Sequence, residues 1–281
     1  MILAQEQITK LVLVAGYGEL PDRLAEAATR EGVELIVLAL NNDTYKRMKK
    51  LYVCFKYSPI EVFSMLDKCR EHCAKYITFI GKVPKLEFFK NLHKLDKRLL
   101  ELISKLKNMN DDSLHLMLVD FLSKEADLTV IDQTKYLRDY FPGPQVLTKR
   151  QPTNDELEEI VYGLSIAKGI AALDIGQTVV VKNRAVIAVE AIEGTNASIQ
   201  RAIRKLGIFA KSKTVTVCKV AKPNQDNRFD VPTVGLKTLK AMNAGSILAF
   251  EANKTFFIEQ EQSIKYANAN DISIVSLGIN T

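Results

Sequence analysis

An apolar run from Ile8 to Ala15 breaks at the turn Gly16-Tyr17-Gly18-Glu19-Leu20-Pro21, and the residues after it follow a different period. Pro21 suits the first turn of a helix, where its missing N–H would have no partner anyway. Leu24, Ala25, Ala27 and Ala28 then recur at helical spacing as far as Gly32, and Glu34 to Leu40 is a second strand-like run. Strand, turn, helix and strand within roughly 30 residues leave few solutions, because the second strand must return parallel to the first with the helix packed on the sheet. The same alternation continues. Glu61 to Cys73 places Val62, Met65, Leu66, Cys69 and Cys73 on one helical face, and Tyr76 to Ile80 is a strand closed by Gly81-Lys82-Val83-Pro84. Helices are expected over Lys94–Lys107 and Ser113–Lys124, and a strand over Leu128–Ile131. The first half therefore reads as a Rossmann-like, parallel-sheet α/β domain.

Phe141-Pro142-Gly143-Pro144 and Gln151-Pro152-Thr153 interrupt that pattern, since proline opposes helix at its own position and at the one before it. Thr153-x-x-Glu156 is a capping box that opens a new helix with Ile160, Leu164 and Ala167 on its apolar face. At 281 residues, with domains of about 150 residues as the prior, two domains are expected. They are residues 1–141 for nucleotide and substrate binding, a linker over 142–152, and residues 153–281 for catalysis, with the ligand in a central cleft.

The second half predicts a mixed-sheet α/β domain. Gln177–Val181 and Ala185–Ala191 are expected to form a hairpin about Lys182-Asn183-Arg184, and the second strand runs into Glu193-Gly194-Thr195-Asn196. A helix follows with Ile199, Ala202, Ile203 and Leu206 at i, i+3, i+4 and i+7. Strands over Thr214–Val220, Ser246–Glu251, Lys254–Glu259 and Ile272–Leu277 alternate with helices over Leu236–Asn243 and Gln260–Asn270.

Chemistry concentrates on the turns of this half. Asp174, Gln177, Glu190 and Glu193 stand on short, glycine-punctuated connections beside apolar strands, where folded chains place function. Gly194 and Thr195 set free amides and a hydroxyl at a helix N-terminus, an anion seat that Arg201 and Arg204 reinforce or else simply face solvent. The loop Asn224-Gln225-Asp226-Asn227-Arg228-Phe229-Asp230 and the turn Val231-Pro232-Thr233-Val234-Gly235 carry the rest. Asp226 and Asp230 supply oxygens of the kind divalent cations prefer, and Arg228 supplies a fork for phosphate; an Arg–Asp surface pair explains the same three residues. In the first half, Gly16 and Gly18 could bring amides to a phosphate, although the GxGxxG pattern is incomplete, and Lys82 follows a strand end. Asp111 and Asp112 open a helix, where capping alone accounts for them.

The net charge of +6 favours an anionic partner. Nucleic acid is not expected, because no basic tract with interleaved aromatics occurs and Trp is absent. The four cysteines, Cys54, Cys69, Cys73 and Cys218, form no CxxC pair and the three histidines have no zinc spacing, so buried, reduced thiols are expected. The N-terminus has no signal-peptide pattern, and no run reaches the ~18 apolar residues of a membrane span. A cytoplasmic protein, at most peripheral at the inner face of the cytoplasmic membrane, is expected.

Taken as an ordered set, these segments resemble the UDP-2,3-diacylglucosamine pyrophosphatases of the LpxI type, from lipid A biosynthesis. The resemblance starts at LVLVAGYGELP, passes through Gly81-Lys-Val83, Asp111-Asp112 and Pro144-Gln-Val-Leu-Thr148, and is densest at LDIGQTVVV, AVEAIEGTNASIQRA, CKVAKPNQDNRFDVPTVGLKTL and AGSILAFEA. Asn196 stands where that family usually has Asp, and Tyr17 replaces a small residue. The resemblance implies hydrolysis of UDP-2,3-diacylglucosamine to UMP and 2,3-diacylglucosamine 1-phosphate by metal-assisted attack of water on the β-phosphorus. It implies Mg²⁺ or Mn²⁺, with Asp230, Glu190 and Glu193 as ligands and Asp230 matching the family's essential acid, assisted by Arg228 and Asp226. Substrate contacts are expected at Gly16, Gly18, Lys82, Asp112, Asp174, Gln177, Gly194, Thr195 and Thr233. A non-catalytic nucleotide-lipid binding protein is the alternative, a nicotinamide-dependent oxidoreductase rests only on the Gly16 turn, and a homodimer is left open.

Overall fold

The first strand owes its place at the centre of a sheet to its composition: five of the six residues of β1 (Lys10–Ala15) are buried, as are five of the six in β2 (Glu34–Ala39). Strands covered on both faces read as continuous apolar runs rather than alternating ones. The computed structural model describes residues 7–83, 100, 101, 104, 111–209, 213–229 and 231–279, without the side chains of 111–115 and 207–209. The chain divides into two compact units: Met1–Leu137 with Asp226–Phe229, and Arg138–Gln225 with Asp230–Thr281.

In the first unit β1 and β2 flank helix α1 (Leu20–Arg30), which carries Pro21 in its first turn as expected. Then follow α2 (Asn42–Met48), β3 (Val53–Lys56), α3 (Val62–Glu71), β4 (Tyr76–Ile80), α4 (Asp111–Ala126) and β5 (Thr129–Val130). The five strands are ordered β3-β2-β1-β4-β5 and all pair in parallel. Neither α2 nor β3 is among the elements expected from the sequence. The short α2 depends on its cap, since the Asn41 side chain accepts from the Thr44 amide at 2.9 Å. As an edge strand, β3 leaves Val53 49% exposed and carries no clear period. Cys73 is corrected: α3 stops at Glu71, and Cys73 lies beyond it, exposed and left-handed at φ 51°. The helix expected over 94–107 falls mostly outside the described residues.

The second unit contains β6 (Gln145–Val146), α5 (Asn154–Ala172), β7 (Thr178–Lys182), β8 (Ala185–Val189), α6 (Thr195–Phe209) and β9 (Thr216–Lys219). It continues with β10 (Thr233–Val234), α7 (Leu236–Lys240), β11 (Ile247–Glu251), β12 (Phe256–Phe257), α8 (Gln260–Ala269) and β13 (Ser273–Leu277). Its six-stranded sheet runs β6-β13-β11-β9-β7-β8, with β9, β11 and β13 mutually parallel and β6, β7 and β8 antiparallel to their neighbours. The capping box of Thr153 and Glu156 is formed. Asn183 and Arg184 take φ of 50° and 57°, the paired left-handed geometry that a two-residue hairpin needs.

Side-chain alternation in the strands feeds two layers. Val179, Val181, Cys218, Ala249 and Val275 pack on Ile160, Leu164 and Ala167 of α5. Val180, Val217, Leu248 and Ile274 pack on the opposite face with Ile199, Ala202, Leu239 and Ala267. The segment read as a linker, 142–152, is built into this unit. The Pro142 carbonyl accepts from the Asn253 amide at 3.0 Å and the Ser276 hydroxyl at 3.1 Å, and β6 pairs with β13. As compact units the chain divides after Leu137.

Candidate functional site

Because β7 opposes β9 and β8 opposes β7, the start of β7, the end of β8 and the end of β9 meet at one edge of the sheet. This is the carboxyl edge of the parallel strands, where open α/β sheets hold ligands. Gln177 and Thr178 stand at the start of β7, Glu190 follows β8, Lys219 ends β9, and Thr195 opens α6. Thr178 is register partner to Lys219, and its carbonyl accepts the Glu190 amide at 2.8 Å.

These side chains form a polar row. Lys219 Nζ donates to Thr195 Oγ1 at 2.8 Å, and Thr195 Oγ1 donates to Glu190 Oε1 at 2.8 Å. A hydroxyl owns one hydrogen, so at the 3.5 Å contact between the two threonines Thr178 must be the donor. Lys219 is only 7% exposed, so its ammonium gains more from each nearby oxygen than it would in water. The other carboxylate oxygen, Glu190 Oε2, and the amide oxygen Gln177 Oε1 are buried and have no hydrogen-bond partner among the described residues. Buried acceptors are nearly always satisfied, so two orphans at one sheet edge mark positions for an incoming donor or cation. The edge also requires Gly176, since a Cβ there would stand 2.2 Å from the Glu190 carbonyl oxygen. Beside it, Lys222 Nζ lies 2.6 Å from Asp174 Oδ1.

Of the expected residues, Asp174, Gln177, Glu190 and Thr195 come together here. Lys219 and Lys222 were missed, although Lys219 interrupts the apolar run from Val215 to Ala221, a signal for a buried charge. Glu193 points to Arg201 instead, and hydrogen bonding from its own backbone amide, then from Arg201, holds its carboxyl below the ordinary range. The Gly194 amide, expected to be free, donates to the Ala191 carbonyl at 3.2 Å. An open depression of about 620 Å³ adjoins this turn, lined by Val189, Ala191, Glu193, Ala197, Arg201 and Arg204.

Elsewhere the structure gives the expected residues other partners. The Gly16 amide donates to the Ile80 carbonyl at 2.8 Å, and Tyr17 and Lys82 exchange backbone hydrogen bonds of 2.8 and 2.9 Å. A Cβ on Gly16 would lie 2.7 Å from the Gly81 carbonyl carbon, so close backbone approach explains this glycine. The Gly18 carbonyl accepts from Arg47 at 3.0 Å, and the Lys82 side chain is exposed. In the loop, the Arg228 fork closes on Asp226, with Nη2 2.7 Å from Oδ2 and Nε 2.9 Å from Oδ1. That pair raises the guanidinium pKa further and occupies both Asp226 oxygens. The Thr233 hydroxyl donates to the Val231 carbonyl at 3.1 Å. Asp112 sits in the first turn of α4 with its side chain outside the described residues, and Asp230 lies outside them altogether. No three His, Cys, Asp or Glu side chains gather into a metal cage among the described residues. No described helix is long and apolar enough to cross a membrane.

Comparison with known proteins covers nearly the whole chain. Residues 10–140 match the LpxI N-terminal domain and residues 143–275 the LpxI C-terminal domain. The Caulobacter vibrioides protein named UDP-2,3-diacylglucosamine pyrophosphatase LpxI is 28% identical over 286 residues, covering 96% of this chain and 97% of the relative. Among solved structures, the biotin carboxylase domain of Hydrogenobacter thermophilus 2-oxoglutarate carboxylase matches at TM-score 0.25 and 14% identity over 75% of this chain and 44% of that one. That likeness is too low to carry an argument. Both domains, in order and nearly end to end, make the chain a member of the LpxI family.

Proposed function

We propose that the protein hydrolyses the diphosphate of UDP-2,3-diacylglucosamine, giving UMP and 2,3-diacylglucosamine 1-phosphate. The observation that carries this reading is the end-to-end match to the Caulobacter relative that bears that name. The sheet edge supports it with suitable chemistry. Transfer of a phosphoryl group demands charge neutralisation and positioning more than covalent help. The buried Lys219 ammonium and the amino end of α6 offer positive potential to a diphosphate, and Thr195 fixes the ammonium relative to Glu190.

A divalent ion fits the donors here through one particular oxygen, the unpartnered Glu190 Oε2, with Gln177 Oε1 as a neutral companion. Mg²⁺ or Mn²⁺ is commonly held by one or two carboxylates plus substrate phosphates, and when bound it supplies charge neutralisation at the diphosphate. Glu193, engaged by Arg201, is not part of this proposal. Asp230 keeps the role implied by family resemblance, as ligand or as the base that orients water. The acyl chains of the substrate bring the protein to the inner face of the cytoplasmic membrane.

The test is UMP release from UDP-2,3-diacylglucosamine by purified protein with Mg²⁺ and with EDTA, beside Asp230→Ala. Metal-dependent release that the substitution abolishes supports the hydrolase. Tight substrate binding without release would replace it with a nucleotide-lipid binding protein.

A further inference from the structure

A second group of charges, apart from the polar row, gathers at the exit from β9. Glu251 ends β11 and is 1% exposed. Its carboxylate receives Lys168 Nζ from α5 at 2.9 Å on Oε1 and 2.7 Å on Oε2, and Lys254 Nζ at 2.9 Å. The same group grips both backbone polar groups of a single residue, Ala221, on the exit from β9. The Ala221 amide donates to Glu251 Oε2 at 2.9 Å, and Lys168 Nζ donates to the Ala221 carbonyl at 2.9 Å. One residue earlier, the Val220 amide donates to the Gln177 carbonyl at 3.0 Å.

A buried ion pair is poor value as a stabilising device, because desolvation of both ions offsets their attraction and an apolar pair of the same volume often does as well. What it can give is direction. Apolar side chains cannot fix two successive peptide groups, whereas a carboxylate and an ammonium can hold the N–H of one and the C=O of the next, on either side of one Cα. The residue held here, Ala221, lies two residues after Lys219 and one before Lys222, at the root of the segment that runs to Asp230.

We propose that Lys168 and Glu251 are positioning residues for the site: they clamp Ala221 and so set where Lys219 and residues 222–225 stand against the sheet edge. Neither touches the substrate. The kinetic consequence rests on the hydrolase reading, whereas the clamp itself does not. The clamp makes the exit from β9 the stiffest part of its loop, and losing it lowers turnover while leaving initial binding of the nucleotide largely intact.

The experiment combines hydrogen–deuterium exchange, read by mass spectrometry over peptides spanning 216–229, with steady-state turnover of UDP-2,3-diacylglucosamine. The variants are Lys168→Met, Lys168→Arg and Glu251→Gln; the last keeps shape and an acceptor for the Ala221 amide should Lys168→Met fail to fold. For Lys168→Met or Glu251→Gln, exchange over 220–225 is expected to rise at least tenfold with β7 and β13 unchanged. Turnover falls at least tenfold with KM within threefold, and Lys168→Arg returns both to within threefold of the parent. Unchanged exchange over 220–225 overturns the proposal. So does exchange that rises equally across the whole second sheet, which marks a plain loss of stability, or locally faster exchange with unchanged kcat. If the parent protein does not cleave this substrate, the hydrolase reading fails alone, and the exchange arm still decides the clamp.

Discussion

At the scale of single residues, Lys219 is the side chain on which the site turns. It is a buried cation at the end of a strand, tied by Thr195 to a carboxylate whose second oxygen is open. Lys219→Met keeps most of the apolar stem and removes only the charge. It is expected to lower kcat by about 10²–10³, the usual loss when one preorganised donor is removed, with a far smaller effect on melting temperature. UMP-release kinetics beside a thermal melt check this. Thr195→Val is expected to act in the same direction, since it removes both the donor to Glu190 and the acceptor for Lys219. Four of the residues gathered here were legible beforehand because Asp174, Gln177, Glu190 and Thr195 stand on turns where acids and amides lack a packing role. Lys219 carries only the weaker signal of its place in an apolar run, because a lysine in a strand normally lies on its solvated face and its partners here are tertiary. The Arg228–Asp226 pair could not be told from a phosphate fork until the geometry showed both Asp226 oxygens in use.

At the scale of elements, local chemistry decided what sequence could reveal. Long apolar runs gave β1, β2 and β4, and the capping box gave the start of α5. The cap makes a direct prediction: Thr153→Ala leaves the Glu156 amide unpaired and is expected to cost about 1 kcal/mol, seen as a fall of about 2–4 °C in melting temperature. Short elements such as β6 and β12, at two residues each, carry no period to read and exist only through their partners. The clamp on β11 is likewise tertiary, and it has a pH signature. Burial pushes the Glu251 carboxyl up, but Lys168, Lys254 and the Ala221 amide outweigh it and hold it below the ordinary 4.5. A folded pKa below the unfolded one gives stability that is fully present above the unfolded value and lost as pH falls through the folded one. The difference in melting temperature between the parent and Glu251→Gln is therefore expected to be constant above about pH 5 and to shrink as pH drops below it. A difference that widens on acidification would contradict the ion pairing.

At the scale of the whole molecule, the cysteines divide between the units and report on each. Cys54, Cys69 and Cys73 belong to the first unit and Cys218 to the second. Burial raises the thiol pKa of Cys54 and Cys69 to about 11 and pushes that of Cys218 higher still. Since the thiolate is the reacting species, these three are poor nucleophiles near neutral pH while the fold holds. With Cys73 exposed, native protein treated with iodoacetamide at pH 8 is expected to label at Cys73 first and at Cys69 and Cys218 only on unfolding. Cys218 adjoins Lys219 and packs against Ile160 and Val179, inside the sheet that carries the site. A ligand bound to the native state stabilises it by mass action. UMP with Mg²⁺ at 100 times its Kd should therefore add about 2.7 kcal/mol to the opening that exposes this thiol, slowing its labelling in moderate urea by roughly a hundredfold. Peptide mass mapping of labelled sites separates the two reporters. Protection confined to Cys218 places the nucleotide on the second unit, as the sheet-edge site requires, whereas protection confined to Cys69 would move it to the first unit and overturn the site assigned to Lys219, Thr195 and Glu190.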